Sequence, residues 1–479
     1  MKYKITTMVK FADKTLKNLV GIKTPVLDAL KKYADNPSVP LHIPGHARGE
    51  GVLPKFKDII GENIVNLDTT DEFSGLGKLY PAEGPVAEAQ ELMAELFEAQ
   101  HSFFLINGST VGNLALALTV AKEGKKVIIG RNCHRSVISG ITLTGANPIW
   151  VIPEQLDNWG IWGAVNPAEI ERLLDENNDV SAVWITNPTY EGVVSDITKI
   201  AEICKKRNVL FIVDEAHGCL WKFSDQLPQP ALECGADAVV HSLHKTGGSF
   251  SQSSVLHIGK NSRINIEEIE TNLSMLQSTS PSYMLIASLD AARAYLSSEY
   301  GMQRLDAAIK NTESTREYLS RVEGVKCLSE SVDPTKIYLK IDGLSGKRLQ
   351  SILEIEYNIE IEAATDQGIL ALCNVGNTAQ EMRYFCECLE SIAQSNYSDI
   401  TYLEKTKSMP FHIPAMACTP RAAYIAEKEE VSLEESIGKV CAEVIAVCPP
   451  GIPVLIPGEI ITEKHLPYLN KRHSILIVK

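Results

Sequence analysis

The chain has 479 residues, 44% apolar and 22% charged, enough to give one large and one or two smaller globular domains a buried core each. Its net charge of −14 argues against sequence-independent nucleic-acid binding, which needs a basic face to displace phosphate counterions. Its 11 cysteines, an odd number at irregular spacing, read as reduced thiols of a cytoplasmic protein and exclude a disulfide framework.

The opening MKYKITTMVKFADKTLKNLVG is basic but lacks an apolar core and a small-residue cleavage site, so it is not a secretory signal. No run along the chain approaches the ~18 apolar residues of a membrane helix. Thr24 to Tyr33, TPVLDALKKY, predicts an amphipathic helix entered through Thr-Pro, followed by the turn-rich LHIPGHARGEG. Pro85 to Glu98, PVAEAQELMAELFE, has helical apolar spacing. From there to about Ile258, short apolar runs alternate with helical stretches, and SFFLI, KVIIG, PIWVI, AVWIT, VLFIV and AVVHS are the predicted strands. Such alternation predicts a mostly parallel sheet covered on both faces. A long helical pattern after STSPSY runs to about Val322, and Val325 to about Asn396 mixes the strands TKIYLKI and GILALC with helices as a smaller α+β domain. The tail from Thr406 carries a Pro-rich entry, a helix ending near Ala446, and CPPGIPVLIPGEIIT. Cys386 and Cys388 point apart on a helical pattern, so no metal site is expected there.

Ligands of α/β sheets gather at the carboxyl ends of strands, and four such ends carry polar residues here. AVVHSLHKTGG sets Ser242, His244 and Lys245 directly after a strand, where a lysine by itself is as easily a surface residue. VLFIVDEAHG ends a buried run in Asp214, a carboxylate that is costly unless paired; a helix N-cap or a metal ligand is the alternative reading. SFFLINGSTVGNLALAL places Ser109 and Thr110 at a helix N-terminus, a ready anion site that is neither a Walker loop nor a GxGxxG. KVIIGRNCHRSV puts His134 after another strand, a position where a lone histidine is commonly structural. Taken together, an amine, a buried carboxylate, a phosphate loop and an imidazole match the needs of pyridoxal phosphate (PLP). These are a lysine carrier, an anion for the pyridine nitrogen, a phosphate cradle and a ring to stack.

HSLHKTGGSFSQSS resembles the PLP-lysine signature of the Orn/Lys/Arg decarboxylase family, enzymes of fold type I, the aspartate-aminotransferase-like fold. The likeness runs through TPVLDALKKY, HIPGHARGEG, NPTYEGVVSDI, STSPSY and TPRAAYIAEKEEVSLEESIGKV to PPGIPVLIPGE, and the length is that of the short bacterial form without an N-terminal receiver-like wing domain. The resemblance implies an α/β architecture. Residues 1–80 would contribute to a dimer and the active-site edge, and 81–300 would form a PLP-binding large domain around a mostly parallel seven-stranded sheet. Residues 301–400 would form a small α+β domain and 401–479 a C-terminal domain.

The same resemblance implies that Lys245 carries PLP covalently and that Asp214 pairs with its pyridine nitrogen. His134 would stack on one ring face and Ala216 pack on the other, while Ser109, Thr110 and Ser242 hold the phosphate beside His244. Thr279 or Ser280 would reach the phosphate of a neighbouring subunit, because such active sites form at the interface of a homodimer or higher even oligomer. Glu459 and His217 are the candidate substrate contacts, Glu459 for a distal cation through a charge-assisted hydrogen bond. No metal, nucleic acid or membrane partner is implied. One departure concerns Cys448, which stands where the family pattern reads Tyr before Pro-Pro-Gly and so removes a phenol near the substrate's tail.

The implied reaction is decarboxylation of a basic L-amino acid for polyamine biosynthesis. Arginine to agmatine ranks first, then lysine to cadaverine, then ornithine; all three share a distal cation. Either Lys245 or His244 would return the proton to Cα. A second reading is another fold-type-I chemistry, such as aminotransfer or carbon–carbon lysis. An aminotransferase needs an arginine clamp for the carboxylate, and Arg421 is left unassigned. A third is a catalytically silent regulator, against which the intact Lys245, Asp214 and His134 argue.

Overall fold

The structure is a computed structural model that describes residues 21–36, 38–70, 75–395, 397, 413–447, 451–469 and 472–479. The basic opening segment, the entry at Thr406 and Cys448 lie outside the described residues.

Seven strands form the central sheet: β1 (Ala99–Leu105), β2 (Lys126–Gly130), β3 (Asn147–Val151), β4 (Val180–Thr186), β5 (Leu210–Asp214), β6 (Ala238–His241) and β7 (Ser254–Gly259). Their order is β1-β7-β6-β5-β4-β2-β3. All neighbours pair in parallel except β7, which runs antiparallel to both β1 and β6. The first six match the predicted apolar runs. β7 is the strand that the sequence pattern does not announce, because its apolar stretch is short, comes after a polar Ser-Gln-Ser-Ser and contains His257. Tertiary pairing makes it a strand, with the His257 ring 2.7 Å from Ser102 Oγ on β1.

Both faces of the sheet are buried, as expected for strands crossed by helices. Val127, Ile129, Trp184, Ile212 and Val240 pack on one side with helices Gly108–Val120 and Arg135–Thr144. Ile128, Val183, Phe211, Val213 and Val239 pack on the other with helices Pro167–Glu176 and Ile197–Lys206. The alternation along each strand is the period of two that a pleated backbone imposes.

Two further elements depart from the sequence pattern. The long helical stretch is two helices, Tyr283–Leu296 and Glu299–Leu319, because Ser298 caps the second by accepting from Gly301 N at 2.9 Å. In the tail, no helix ends near Ala446. A helix at Pro420–Ile425 gives way to β12 (Lys428–Ser432), which pairs antiparallel with the chain's last strand, β15 (Ser474–Val478). Ile445–Val447 (β13) pairs with Ile452–Leu455 (β14). Partners 30 or more residues away therefore override the local helical propensity of KEEVSLEESIGKV. Between these regions lies an antiparallel sheet of β8 (Val325–Cys327), β9 (Lys336–Ile341), β11 (Ile369–Leu372) and β10 (Ala363–Ala364), in that order.

β1 is co-directional with β6, since each runs antiparallel to β7. The carboxyl ends of β1, β2, β4, β5 and β6 therefore share one edge. Helices Gly108–Val120 and Arg135–Thr144, which leave β1 and β2 at that edge, approach closely enough that a Cβ on Gly140 would sit 2.5 Å from Ala117 Cβ. Gly140→Ala is therefore expected to cost about 1–3 kcal/mol by overpacking, read as a lower urea midpoint at unchanged slope. Ala117→Gly in the same background should restore part of the loss. An unchanged midpoint for Gly140→Ala would show that the helix spacing is not constrained.

Candidate active site

The five strand ends open on one cavity of about 290 Å³. It is lined by Ser109, Thr110, His134, Asp214, Ala216, His217, Ser242, His244 and Lys245. Three other candidates lie elsewhere. Thr279 and Ser280 are exposed in the turn between helices Ile266–Leu276 and Tyr283–Leu296. Glu459 is wholly buried, and both of its oxygens lie 3.2 Å from Arg131 Nη2. It also accepts from Ile456 N at 2.9 Å. A carboxylate so enclosed within its own chain and so fully partnered is a structural ion pair, and the structure does not bring it to the cavity.

Asp214, 3% exposed, ends β5. Its Oδ2 accepts from Asn113 Nδ2 at 3.1 Å and its Oδ1 from Ala216 N at 3.3 Å. Asn113 also donates to Ser136 Oγ at 2.9 Å, which leaves that hydroxyl to donate to His134 Nδ1 at 2.8 Å. The backbone amide of Ser136 donates to the same ring nitrogen at 3.2 Å. The chain of donors thus runs from the carboxylate to the imidazole and assigns the His134 proton to Nε2. Burial lowers the His134 pKa, while the Asp214 charge pulls the other way.

Lys245 comes after β6 in the short helix Leu243–Thr246. Its Nζ lies 3.0 Å from His217 Nε2. Burial holds its pKa below the usual lysine range, again opposed by Asp214. His217 is held far below the ordinary imidazole range, first by burial and then by the Lys245 charge. It is therefore a neutral acceptor for the amine, and the Tyr190 ring stands edge-on to it at 5.1 Å. His244 Nδ1 donates to the Ser253 carbonyl at 2.7 Å. Burial lowers its pKa too, leaving Nε2 with a lone pair.

At the other end, helix Gly108–Val120 begins with no side-chain cap; the Gly108 amide donates to the Gln252 carbonyl at 2.7 Å, and Ser109 and Thr110 line the cavity at this N-terminus. Ser242 Oγ is fully buried and has no protein partner. A buried hydroxyl without a partner costs free energy until an acceptor arrives. An unmatched hydroxyl, a helix N-terminus carrying Ser109 and Thr110, a depressed amine and a carboxylate held by neutral donors fit the phosphate, aldehyde and pyridine nitrogen of PLP. Among the described residues, no three His, Cys, Asp or Glu side chains cluster as metal ligands. Arg421 donates to the carbonyls of Leu143 and Thr144 at a helix C-terminus, outside the cavity lining.

Several residues escape a reading of the sequence. Asn113 carried a signal, as a polar residue amid the apolar turns of GNLALAL. Ser136, Arg131 and Lys336 carried none, because each gains its role from a distant partner. Lys336 is buried and donates to the carbonyls of Thr189 (3.4 Å) and Tyr190 (2.8 Å), and desolvation pushes its pKa down to about 8. Glu191, in NPTYEG, lines the cavity at 7% exposure.

Residues 24–339 match the Orn/Lys/Arg decarboxylase major domain, and residues 403–475 match the C-terminal domain of the same family. An arginine decarboxylase of Bacillus subtilis is 37% identical over 461 residues, covering 94% of this chain and 93% of that protein. One of Halalkalibacterium halodurans is 35% identical over 462 residues, covering 94% of each. Among solved structures, lysine decarboxylase A from Pseudomonas aeruginosa has a TM-score of 0.85 at 21% identity, covering 97% of this chain and 81% of that one, a likeness of fold. With matches across both domains, the chain belongs to the Orn/Lys/Arg decarboxylase family, PLP-dependent enzymes that decarboxylate basic amino acids.

Proposed function

We propose that the substrate is L-arginine and the products are agmatine and CO₂. The observation that carries this choice over lysine and ornithine is the end-to-end similarity to two arginine decarboxylases. Bound PLP supplies the cationic ring that accepts the electron pair of the breaking Cα–carboxylate bond. In this reading Lys245 carries the cofactor, Ser109, Thr110 and Ser242 hold its phosphate, and His134 and Ala216 pack on its two ring faces. Asp214 keeps the pyridine nitrogen protonated, its carboxylate oriented by Asn113 Nδ2 and the Ala216 amide. Thr279 and Ser280, exposed on this chain, serve the phosphate of a second copy.

Proton return to Cα falls to Lys245. Burial lowers the pKa of its amine, which makes it a better proton acceptor and donor partner than a solvated lysine, and His217 at 3.0 Å holds it in place. His244 has its one proton committed to Ser253, so it acts as a positioning residue beside the phosphate.

Three outcomes are expected. With PLP added, arginine should exceed lysine and ornithine in kcat/KM by at least about tenfold, roughly 1.4 kcal/mol; a preference for lysine would overturn the substrate choice. Borohydride reduction of the holoenzyme and peptide mapping should tag the peptide containing Lys245, and Lys245→Ala should abolish turnover. A tag on another peptide refutes the carrier role. Asp214→Asn should lower kcat by about 10²–10³-fold, as removal of one preorganised charge contact does, and a near wild-type rate would rule out its part.

A further inference from the structure

Asp214 and Glu191 line the cavity, and they differ from each other, and from the nearby or candidate carboxylates Glu215, Glu362 and Glu459, in one respect. Asp214 is held by Asn113 and the Ala216 amide. Glu215, next to it, is engaged by the Ala231 amide at 3.0 Å and His241 at 2.7 Å. Glu362 accepts from the Tyr190 hydroxyl at 2.6 Å. Glu459 is committed to Arg131. Glu191 alone of these five keeps an oxygen, Oε2, buried and without a partner. It lines the same cavity as Lys245 and is 7% exposed.

The segment that carries Glu191 is tightly held. Asn187 Oδ1 accepts from Ser195 N at 2.8 Å, and Thr189 is bridged to Val193 through both its amide (2.9 Å) and its hydroxyl (3.0 Å). Lys336 Nζ donates to the carbonyls of Thr189 and Tyr190, so its own hydrogen bonds go to the backbone and not to the Glu191 carboxylate. A buried carboxylate oxygen left unmatched is unfavourable until a donor reaches it. A planar guanidinium is the donor best matched to a carboxylate.

We propose that Glu191 is the anion that receives the substrate's distal cation, and so sets the preference of this site for basic amino acids. This role rests on the reading that the substrate is a basic amino acid, arginine first. Burial pushes the Glu191 carboxyl above the usual range, opposed by a backbone hydrogen bond at Glu191, the Lys336 charge and Thr189.

The test compares the holoenzyme and Glu191→Gln on arginine and on citrulline, which replaces the guanidinium with a neutral urea of the same shape. The variant should raise KM for arginine by about 10–100-fold with kcat within about threefold of wild type, while the citrulline parameters and the cofactor absorbance stay unchanged. Two results would overturn the proposal: kcat falling at constant KM, or KM rising equally for both compounds. Should Glu191→Gln fail to fold, Glu191→Asp decides: it keeps the charge, so it should retain discrimination against citrulline, and its loss would refute the assignment. Failure of the arginine reading is separately visible as a wild-type preference for lysine. The same comparison is then made with lysine and its neutral counterpart norleucine.

Discussion

A carboxylate at the end of a buried strand is the constraint around which this site is organised. Moving such an ion out of water costs several kcal/mol even after the protein relaxes around it. Asp214 meets that cost with two neutral donors, Asn113 Nδ2 and the Ala216 amide, and among the described residues with no arginine or lysine ion pair. Neutral partners stabilise the charge without cancelling it. Its field is therefore felt by Lys245 and His134, whose pKa values it raises against the burial that lowers them. That surviving charge is what a protonated pyridine ring requires.

The network extends outward from this carboxylate in a way that ties cofactor chemistry to scaffold packing. Asn113 lies on the helix after β1, and Ser136 and His134 at the start of the helix after β2. The pair of hydrogen bonds from Asn113 holds if the two helices keep their spacing, and Gly140 against Ala117 is where that spacing is set. The C-terminal region joins the same arrangement. Arg131, one residue past β2, donates to the carbonyls of Pro453 (2.6 Å) and Val454 (3.2 Å) as well as to Glu459. The buried pair of Arg131 and Glu459 thereby anchors the loop that presents His134, although it never faces the cavity.

Neutral imidazoles dominate the rest of the wall. His217, His134 and His244 all have pKa values depressed chiefly by burial. A cavity with few full positive charges of its own leaves room for a cationic cofactor ring and a cationic substrate, and the net charge of −14 over the chain favours the same sign of ligand.

Much of this was legible from residues alone. Six apolar runs between turn residues marked six of the seven sheet strands, because a strand buried on both faces must be continuously apolar. Lys245, Asp214, His134 and the Ser109–Thr110 loop stood out because each comes directly after such a run, and co-directional strands deliver the loops at their carboxyl ends to one edge of the sheet. The features that the order of residues left open depended on contacts across the chain. β7 and the strands of the tail exist because distant segments supply their hydrogen-bond partners. Glu459 carries the same formal charge as Glu191. Only the folded chain gives the first to Arg131 and leaves the second facing the cavity, since a side chain's partners are a property of three-dimensional neighbours and not of sequence position.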